Sequence, residues 1–315
     1  MTDPRVTTTP EVLDALRVAC ASVRAAGDGD LLELSRRRLA TLLGVGAESA
    51  ARPWGSVTAA RIDALDRWPT DDAFDDRDRA ALALTEQFAL DVTGVAAGPL
   101  APAAGVLGEQ VLPFVQGLYL LDVGQRAAVV LGRLFDTTIT SDDWAWPADD
   151  AAVPADPMSA VMAMLAAIGR SRGVDPVTAE LVRLRGARLH QCRRCQSVRS
   201  VAALEAGADL DLLGSDDPAA VVDLDDATGA ALALVDATFA GRPGLDDDLV
   251  RRLRSSFDRR ELVVLVDYML RNAANKVAVA FGADAAIVDE GFEYQVIDDR
   301  GETLTVDESV IVRRR

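Results

Sequence analysis

Residues 33–53, ELSRRRLATLLGVGAESAARP, and residues 180–200, ELVRLRGARLHQCRRCQSVRS, fall into one register without a gap. Glu33 meets Glu180, Leu34 meets Leu181, Arg36 meets Arg183, Arg38 meets Arg185, Leu42 meets Leu189 and Arg52 meets Arg199. The register continues: DRDRAALALTEQFA (76–89) matches DDATGAALALVDATFA (225–240), and VLPFVQGLYLLDVGQRAAVVLGRL (111–134) matches RRELVVLVDYMLRNAANKVAVAFGA (259–283). One such match could arise by chance, but three in the same order predict a tandem duplication with a period of about 130–150 residues. Each half then has to build the same unit and bury the same apolar faces.

Both halves read as helices, so the predicted fold class is all-α. Alanine and leucine abound and aromatics make up 5% of the chain, a mix that favours helix over strand. In the first half Thr9 is a natural N-cap and Pro10 opens a helix to Ala26. Helices follow over 31–43, from about Ala47, and over 77–90 and 108–134. In the second half they are expected over 157–169, 177–190, 192–206, 228–239, 246–256 and 259–281, with Gly207 as a stop signal. The predicted organisation is an N-terminal repeat (1–136), an acidic linker (137–156) whose Trp144 and Trp146 should dock on a flanking domain, a C-terminal repeat (157–286), and a tail (287–315). In that tail FEYQVIDDRGETLTV (292–306) alternates around a turn at Asp298–Gly301, which predicts a β-hairpin, with 309–315 as a candidate third strand. An isolated hairpin is marginal in water, so it must pack on its own body or on a neighbour.

Lys+Arg total 33 against 50 Asp+Glu, a net charge of −17, which argues against nucleic acid and anionic membranes as partners. The first twenty residues lack a cationic start followed by an apolar core, so no leader is expected. No apolar run was found that approaches the ~18 residues of a membrane span, so none is expected. Three cysteines are too few for a disulfide framework and fit a reducing cytoplasm.

The chemistry-bearing stretch is 189-LHQCRRCQSVRS-200. In an acidic chain, no acidic residue lies between Glu180 and Glu205, and arginines stand at 183, 185, 188, 193, 194 and 199. A thiol reacts as thiolate, which cations and a helix start both favour. With Cys192 and Cys195 opening a helix, Arg199 would lie one turn after Cys195 on the same face. Helix position alone favours Cys192 as the more acidic thiol. A zinc site needs four ligands, and only Cys20, His190 and carboxylates could complete one, so no metal is expected. Two inert core cysteines are the plain alternative, against which the arginine-rich setting argues. Cys20, on an apolar stripe, reads as core. His190 reads as a helix-end residue or a catalytic base. Glu180 reads equally as a proton-handling acid or as half of a Glu–Arg clamp with Arg199, repeated by Glu33 and Arg52.

The pattern Glu180-x11-Cys192-x2-Cys195 resembles the alkylhydroperoxidase D / carboxymuconolactone decarboxylase family. A Glu-bearing helix, a short break, a Cys pair opening the next helix, and the later NAANK (272–276) all agree. The resemblance covers residues 155–285, and residues 10–135 through the repeat alone. It implies an all-α helical unit, usually oligomeric and often built into a ring of six single units, which three chains of this repeat would mimic. It also implies a redox-active disulfide that reduces peroxide with electrons from a partner thiol or dithiol, with no cofactor. Cys195 would be the peroxide-attacking residue, Cys192 the resolving one and Glu180 a site residue. The chain departs from the family where the motif continues to a histidine four residues beyond the second Cys: Arg199 stands there, and the one histidine is His190.

The reading taken forward is a cytoplasmic thiol–disulfide oxidoreductase of alkylhydroperoxidase D type, with Cys192, Cys195, Glu180, Arg199 and His190 as candidate site residues. The alternative is a non-catalytic binding, assembly or redox-sensing protein on the same fold. Lactone decarboxylation, which the family name suggests, is weaker because no acid–base set exists beyond Glu180 and His190.

Overall fold

Acidic side chains start many of the helices. Asp28, Asp75, Asp175, Asp225, Asp246 and Asp258 each accept hydrogen bonds from N–H groups of the helix they precede, and Thr9 does so for the first. Asp75 with Asp78, and Asp258 with Glu261, form reciprocal capping boxes. A carboxylate at this position satisfies orphan donors and meets the positive end of the helix, so part of the acid excess has a local structural use. The structure, a computed structural model, describes residues 8–51, 53–140, 143, 155–222, 224–286 and 288–306. It is mainly helical with one three-stranded sheet.

The chain divides into two units. The first comprises Met1–Met164 and Lys276–Ala283. Its helices are α1 (Pro10–Ala26), α2 (Gly29–Leu43), α3 (Gly46–Ala50), α4 (Ala59–Ala64), α5 (Asp76–Leu90), α6 (Leu100–Leu107) and α7 (Val111–Phe135). α2 lies against α5 and α7. Gly117 permits that approach: a Cβ there would sit 2.5 Å from Cδ2 of Leu32. Phe114, Leu118, Tyr119, Leu121 and Val130 of α7 are buried. So is Asp122, which takes Lys276 Nζ at 2.6 Å and Arg126 Nε at 2.8 Å. Burial pushes Asp122 up, and Arg126 and Lys276 outweigh it and hold the carboxyl below its ordinary range.

The second unit comprises Leu165–Asn275 and Asp284–Arg315. After α8 (Pro157–Arg170), which contributes to both units, come α9 (Pro176–Leu189), α10 (Arg193–Gln196), α11 (Val201–Glu205), α12 (Leu210–Gly214), α13 (Asp226–Phe239), α14 (Asp247–Ser256) and α15 (Arg259–Ala273), then α16 (Asn275–Ala280). α9 packs on α11, α13 and α15. Strands β1 (Val198–Ser200), β2 (Glu293–Ile297) and β3 (Thr303–Val306) form the sheet in that order. β1 and β2 are parallel, with Val198 opposite Glu293, while β2 and β3 form the expected hairpin, with Ile297 opposite Thr303. The hairpin packs on its own unit: Tyr294 joins the apolar cluster of Leu181, Leu184, Val201 and Leu213.

Several expectations are corrected. The helix expected over 192–206 is two short helices separated by β1, and the one expected over 259–281 breaks at Ala274. α6 was not expected. Leu100–Phe135 is long and apolar enough, by length and composition, to cross a membrane, whereas no such stretch was foreseen. Half of its apolar window is buried, and it carries the buried Asp122, Gln125 and Arg126. Trp144, Trp146, Arg52 and the candidate strand 309–315 lie outside the described residues.

The first unit buries a charge cluster. Glu33 takes Arg36 Nε at 2.7 Å and Arg37 Nε at 2.8 Å, and Arg36 also pairs with Glu48. The Arg36 guanidinium lies 4.0 Å from the Trp54 ring centroid. Removing one partner of such a set strands buried charge, which costs about 3–5 kcal/mol. Arg36→Met is therefore expected to lower the unfolding free energy by about that amount in denaturant titrations. A loss below about 1 kcal/mol would show the cluster to be energetically neutral.

Candidate functional site

The thiol loop is built by the end of α9. His190 caps the helix, Gln191 turns with φ 51°, and the Cys192 N–H returns to the Ala187 carbonyl at 2.9 Å. Cys192 then caps α10, its Sγ accepting from the Cys195 N–H at 3.3 Å. Asp284 clamps the loop from outside. Its carboxylate takes the Arg193 N–H at 2.9 Å and Arg193 Nη2 at 2.6 Å, and its carbonyl takes the Arg194 N–H at 2.8 Å. Beyond Gln196 the chain extends into β1, because β2 supplies a pairing partner that outcompetes continued helix. Ser200 then caps α11.

The two sulfurs are 2.6 Å apart, beyond the ~2.05 Å of a disulfide bond. Both cysteines are free thiols here, Cys192 buried and Cys195 partly exposed. Asn275 Nδ2 donates to Cys195 Sγ at 3.2 Å. The Cys192 thiol donates to the same sulfur and, against burial, holds Cys195 down at about 7, helped by Asn275, Arg183 and Arg194. Cys192 is pushed well up by that same hydrogen bond and by burial. A four-residue helix supplies almost no dipole, so these side chains do the work that helix position was expected to do. The expectation from helix position, that Cys192 is the more acidic thiol, is reversed.

Glu180 is buried, and its partner is Arg183. Arg183 Nε and Nη2 meet its two oxygens at 2.6 and 2.7 Å, and the Ser200 N–H adds a third bond at 2.9 Å. Arg183 Nη1 reaches on to the Cys195 carbonyl at 2.8 Å. The expected Glu180–Arg199 clamp is thus replaced by Glu180–Arg183. Arg199 sits in β1, not one helical turn beyond Cys195. Its guanidinium is buried 3.8 Å from the Phe292 ring centroid, with Nη1 donating to the Gln196 and Val198 carbonyls. Burial, then the Arg183 charge, brings Arg199 down to about 10, so it is still a cation at neutral pH. The His190 ring meets Phe239 edge-on, with centroids 4.9 Å apart. Cys20 is fully buried in α1. Among the described residues no group of three His, Cys, Asp or Glu side chains forms a metal site. Asn275 and Asp284 are the contributors sequence reasoning did not single out, and Arg183 was counted only as one of the arginines around the thiols. Asn275 was visible within NAANK, and Arg183 in the repeat register.

The first unit carries a local counterpart. Glu33–Arg36 repeats Glu180–Arg183, with Nε–Oε2 at 2.7 Å and Nη2–Oε1 at 2.9 Å. Arg36 Nη1 donates to the Glu48 carbonyl at 3.4 Å, as Arg183 Nη1 does to that of Cys195. Gly44 turns with φ 73° where Gln191 has 51°, and Val45 N–H returns to Ala40 as Cys192 returns to Ala187. At the position of Cys195 stands Glu48, whose carboxylate pairs with Arg36.

A hydrogen bond to a charged acceptor contributes about 1.5 kcal/mol or more, and 1.36 kcal/mol corresponds to one pH unit. Asn275→Leu is therefore expected to raise the midpoint of Cys195 thiolate formation by about one pH unit. Arg199→Gln should leave it within a few tenths, because the Arg199 guanidinium is turned to the Gln196 and Val198 carbonyls and the Phe292 ring and is not among the main influences on Cys195. Thiolate absorbance against pH checks both. A larger shift with Arg199→Gln than with Asn275→Leu would refute this assignment of donors.

No family model matches the chain, and no solved structure matches it. Two curated relatives do: the uncharacterized proteins MT2376, from Mycobacterium tuberculosis strain CDC 1551 / Oshkosh, and Rv2313c, from strain ATCC 25618 / H37Rv. Each is 36% identical over 226 residues, covering 70% of this chain and 78% of the relative. The chain belongs to the same protein family as these two mycobacterial proteins.

Proposed function

We propose that the protein is a thiol–disulfide oxidoreductase that reduces peroxides through Cys195 and Cys192, in the manner of the alkylhydroperoxidase D family. The observation that carries this reading is the asymmetry of the pair: a partly exposed Cys195 held near 7, with the buried, protonated Cys192 sulfur 2.6 Å away. An exposed low-pKa thiol beside a protonated one is what a nucleophile with a resolving partner requires.

In the proposed cycle the Cys195 thiolate attacks the peroxide. The O–O bond breaks, an S–O bond forms, and the leaving alkoxide takes a proton from water. Cys192 then gives up its thiol proton and its sulfur attacks the sulfenic acid. Water leaves and the disulfide forms. A dithiol donor returns two electrons and two protons through a mixed disulfide. No relay histidine is needed to generate the nucleophile, since the Cys192 thiol, Asn275, Arg183 and Arg194 already bring Cys195 to ionise near neutrality. Glu180 acts as a positioning residue that holds Arg183 against the Cys195 carbonyl.

We further infer that the two units descend from a tandem duplication, supported by the matched Glu–Arg pairs and turns, and that the first lost its thiols to Val45 and Glu48. The resemblance carries with it a homo-oligomer, with a trimer as the expected state, and the sparse, unpaired cysteines fit a cytoplasmic setting.

Stoichiometric peroxide added to the dithiol-reduced protein is expected to abolish alkylation of Cys192 and Cys195 while Cys20 is unchanged. Cys192→Ser should trap a sulfenic acid at Cys195. The oxidation rate should rise with pH through a midpoint near 7, because the reactive thiolate replaces the thiol there. Intact alkylation of both thiols after peroxide and after a disulfide oxidant would defeat the redox reading. Peptide mass spectrometry decides it.

A further inference from the structure

The second unit holds a cavity of about 230 Å³. Glu180 and Arg183 form part of its wall, and neither thiol does. Both Glu180 oxygens are already taken by Arg183 and the Ser200 N–H, so the one acid in the wall offers little negative charge to an incoming ligand. Cations and donors dominate the rest of the polar lining. Arg172 uses Nη1 on the carbonyls of Gly169 and Ser171, and no carboxylate pairs with it among the described residues. The Tyr268 hydroxyl donates to Ser171 at 2.7 Å, which leaves its lone pairs toward Arg172. The carboxamides of Asn272 and Gln295 line the space without a hydrogen-bond partner among the described residues. Asn272 and Gln295, half-buried, and the exposed Arg172 thus bring amide donors and a guanidinium without a carboxylate partner to one cavity.

The remaining wall is aliphatic, from Val174, Pro176, Ala179, Ala202 and Ile297. Arg183 is held by Glu180, and Arg271, also in the wall, donates to the carbonyls of Leu165 and Gly301 and to the Thr303 hydroxyl, so a phosphate dianion would have Arg172 as its main counter-charge while both its charges are desolvated. A single carboxylate needs only one guanidinium and a pair of N–H donors, and its hydrocarbon part suits the apolar wall. The volume lies below the roughly 300 Å³ at which drug-sized ligand pockets begin, which limits the ligand to a short chain. We propose that this cavity binds a small aliphatic monocarboxylate, its head group on Arg172 and the Asn272 and Gln295 amides and its chain along Pro176, Ala179 and Ile297. The site stands independently of the thiol chemistry.

Calorimetric titration of the full chain, kept reduced by a dithiol so that the thiols are silent, tests it with hexanoate, hexan-1-ol and hexylamine. Saturable binding of hexanoate is expected, with hexan-1-ol at least about tenfold weaker, since a charge-assisted contact contributes about 1.5 kcal/mol or more, and hexylamine not binding. Arg172→Gln removes the charge and Ala179→Leu fills the space. Each is expected to weaken hexanoate at least about tenfold while melting with the wild type, and either variant alone suffices if the other fails to fold. Absence of hexanoate binding, equal binding of the alcohol or the amine, or undiminished binding in a folded variant overturns the proposal.

Discussion

The paired Glu180 and Arg183 side chains are the contact on which the second unit's site depends. They sit one helical turn apart on α9. Arg183 Nη1 donates to the Cys195 carbonyl, and Nη2, already on Glu180, also donates to the Val198 carbonyl. One guanidinium thus ties the helix to both the thiol turn and the start of β1. Lysine could not do this. A single ammonium has no planar fork to hold a carboxylate bidentately while reaching two carbonyls beyond it. Glu180 in turn serves as an anchor in this contact. Both of its oxygens are engaged, and its carboxylate also anchors the backbone at Ser200.

The same framework in the first unit clarifies what the position of Cys195 is for. There Arg36 faces Glu48, and a carboxylate occupies the place of the thiol. Glu33 and Glu180 already pair with these two guanidiniums, and the cation's field still favours the charged form of an acid placed beside it. Glu48 supplies a permanent anion. Cys195 supplies a conditional one, and the cation that stabilises Glu48 in one unit also stabilises thiolate over thiol in the other. The two arrangements are alternative answers to one electrostatic setting.

How much of this the sequence disclosed follows from how local each feature is. The Cys pair, Glu180 and the correspondence of Glu33 with Glu180 lie within single short stretches, and register alone reveals them. Arg199 was misplaced because residues 192–206 were read as one helix. The strand that interrupts it exists only because Val198 pairs with Glu293, a partner far along the chain that no helical periodicity can signal. Asp284 was missed for the same reason: it follows the last helix, carries no motif, and gains its role by folding back on Arg193. The hairpin was legible from alternation, but its docking through Tyr294 was not.

The acid excess raises a last physical question, whether a chain of net charge −17 can sustain a thiolate near neutrality. Distance decides it. At physiological ionic strength the screening length is about 8 Å, so exposed acids farther away than that act weakly on Cys195. The groups that lower it are contacts: the Cys192 thiol at 2.6 Å, the Asn275 amide at 3.2 Å, and the charges of Arg183 and Arg194. Burial opposes them by removing water that would solvate the anion, and it also strips the screening from those contacts. Partial burial at Cys195 leaves the donors ahead. At Cys192 the hydrogen bond to Cys195, burial and the neighbouring thiolate all oppose ionisation, and the two sulfurs divide into a charged and a neutral partner although they stand three residues apart in the same turn.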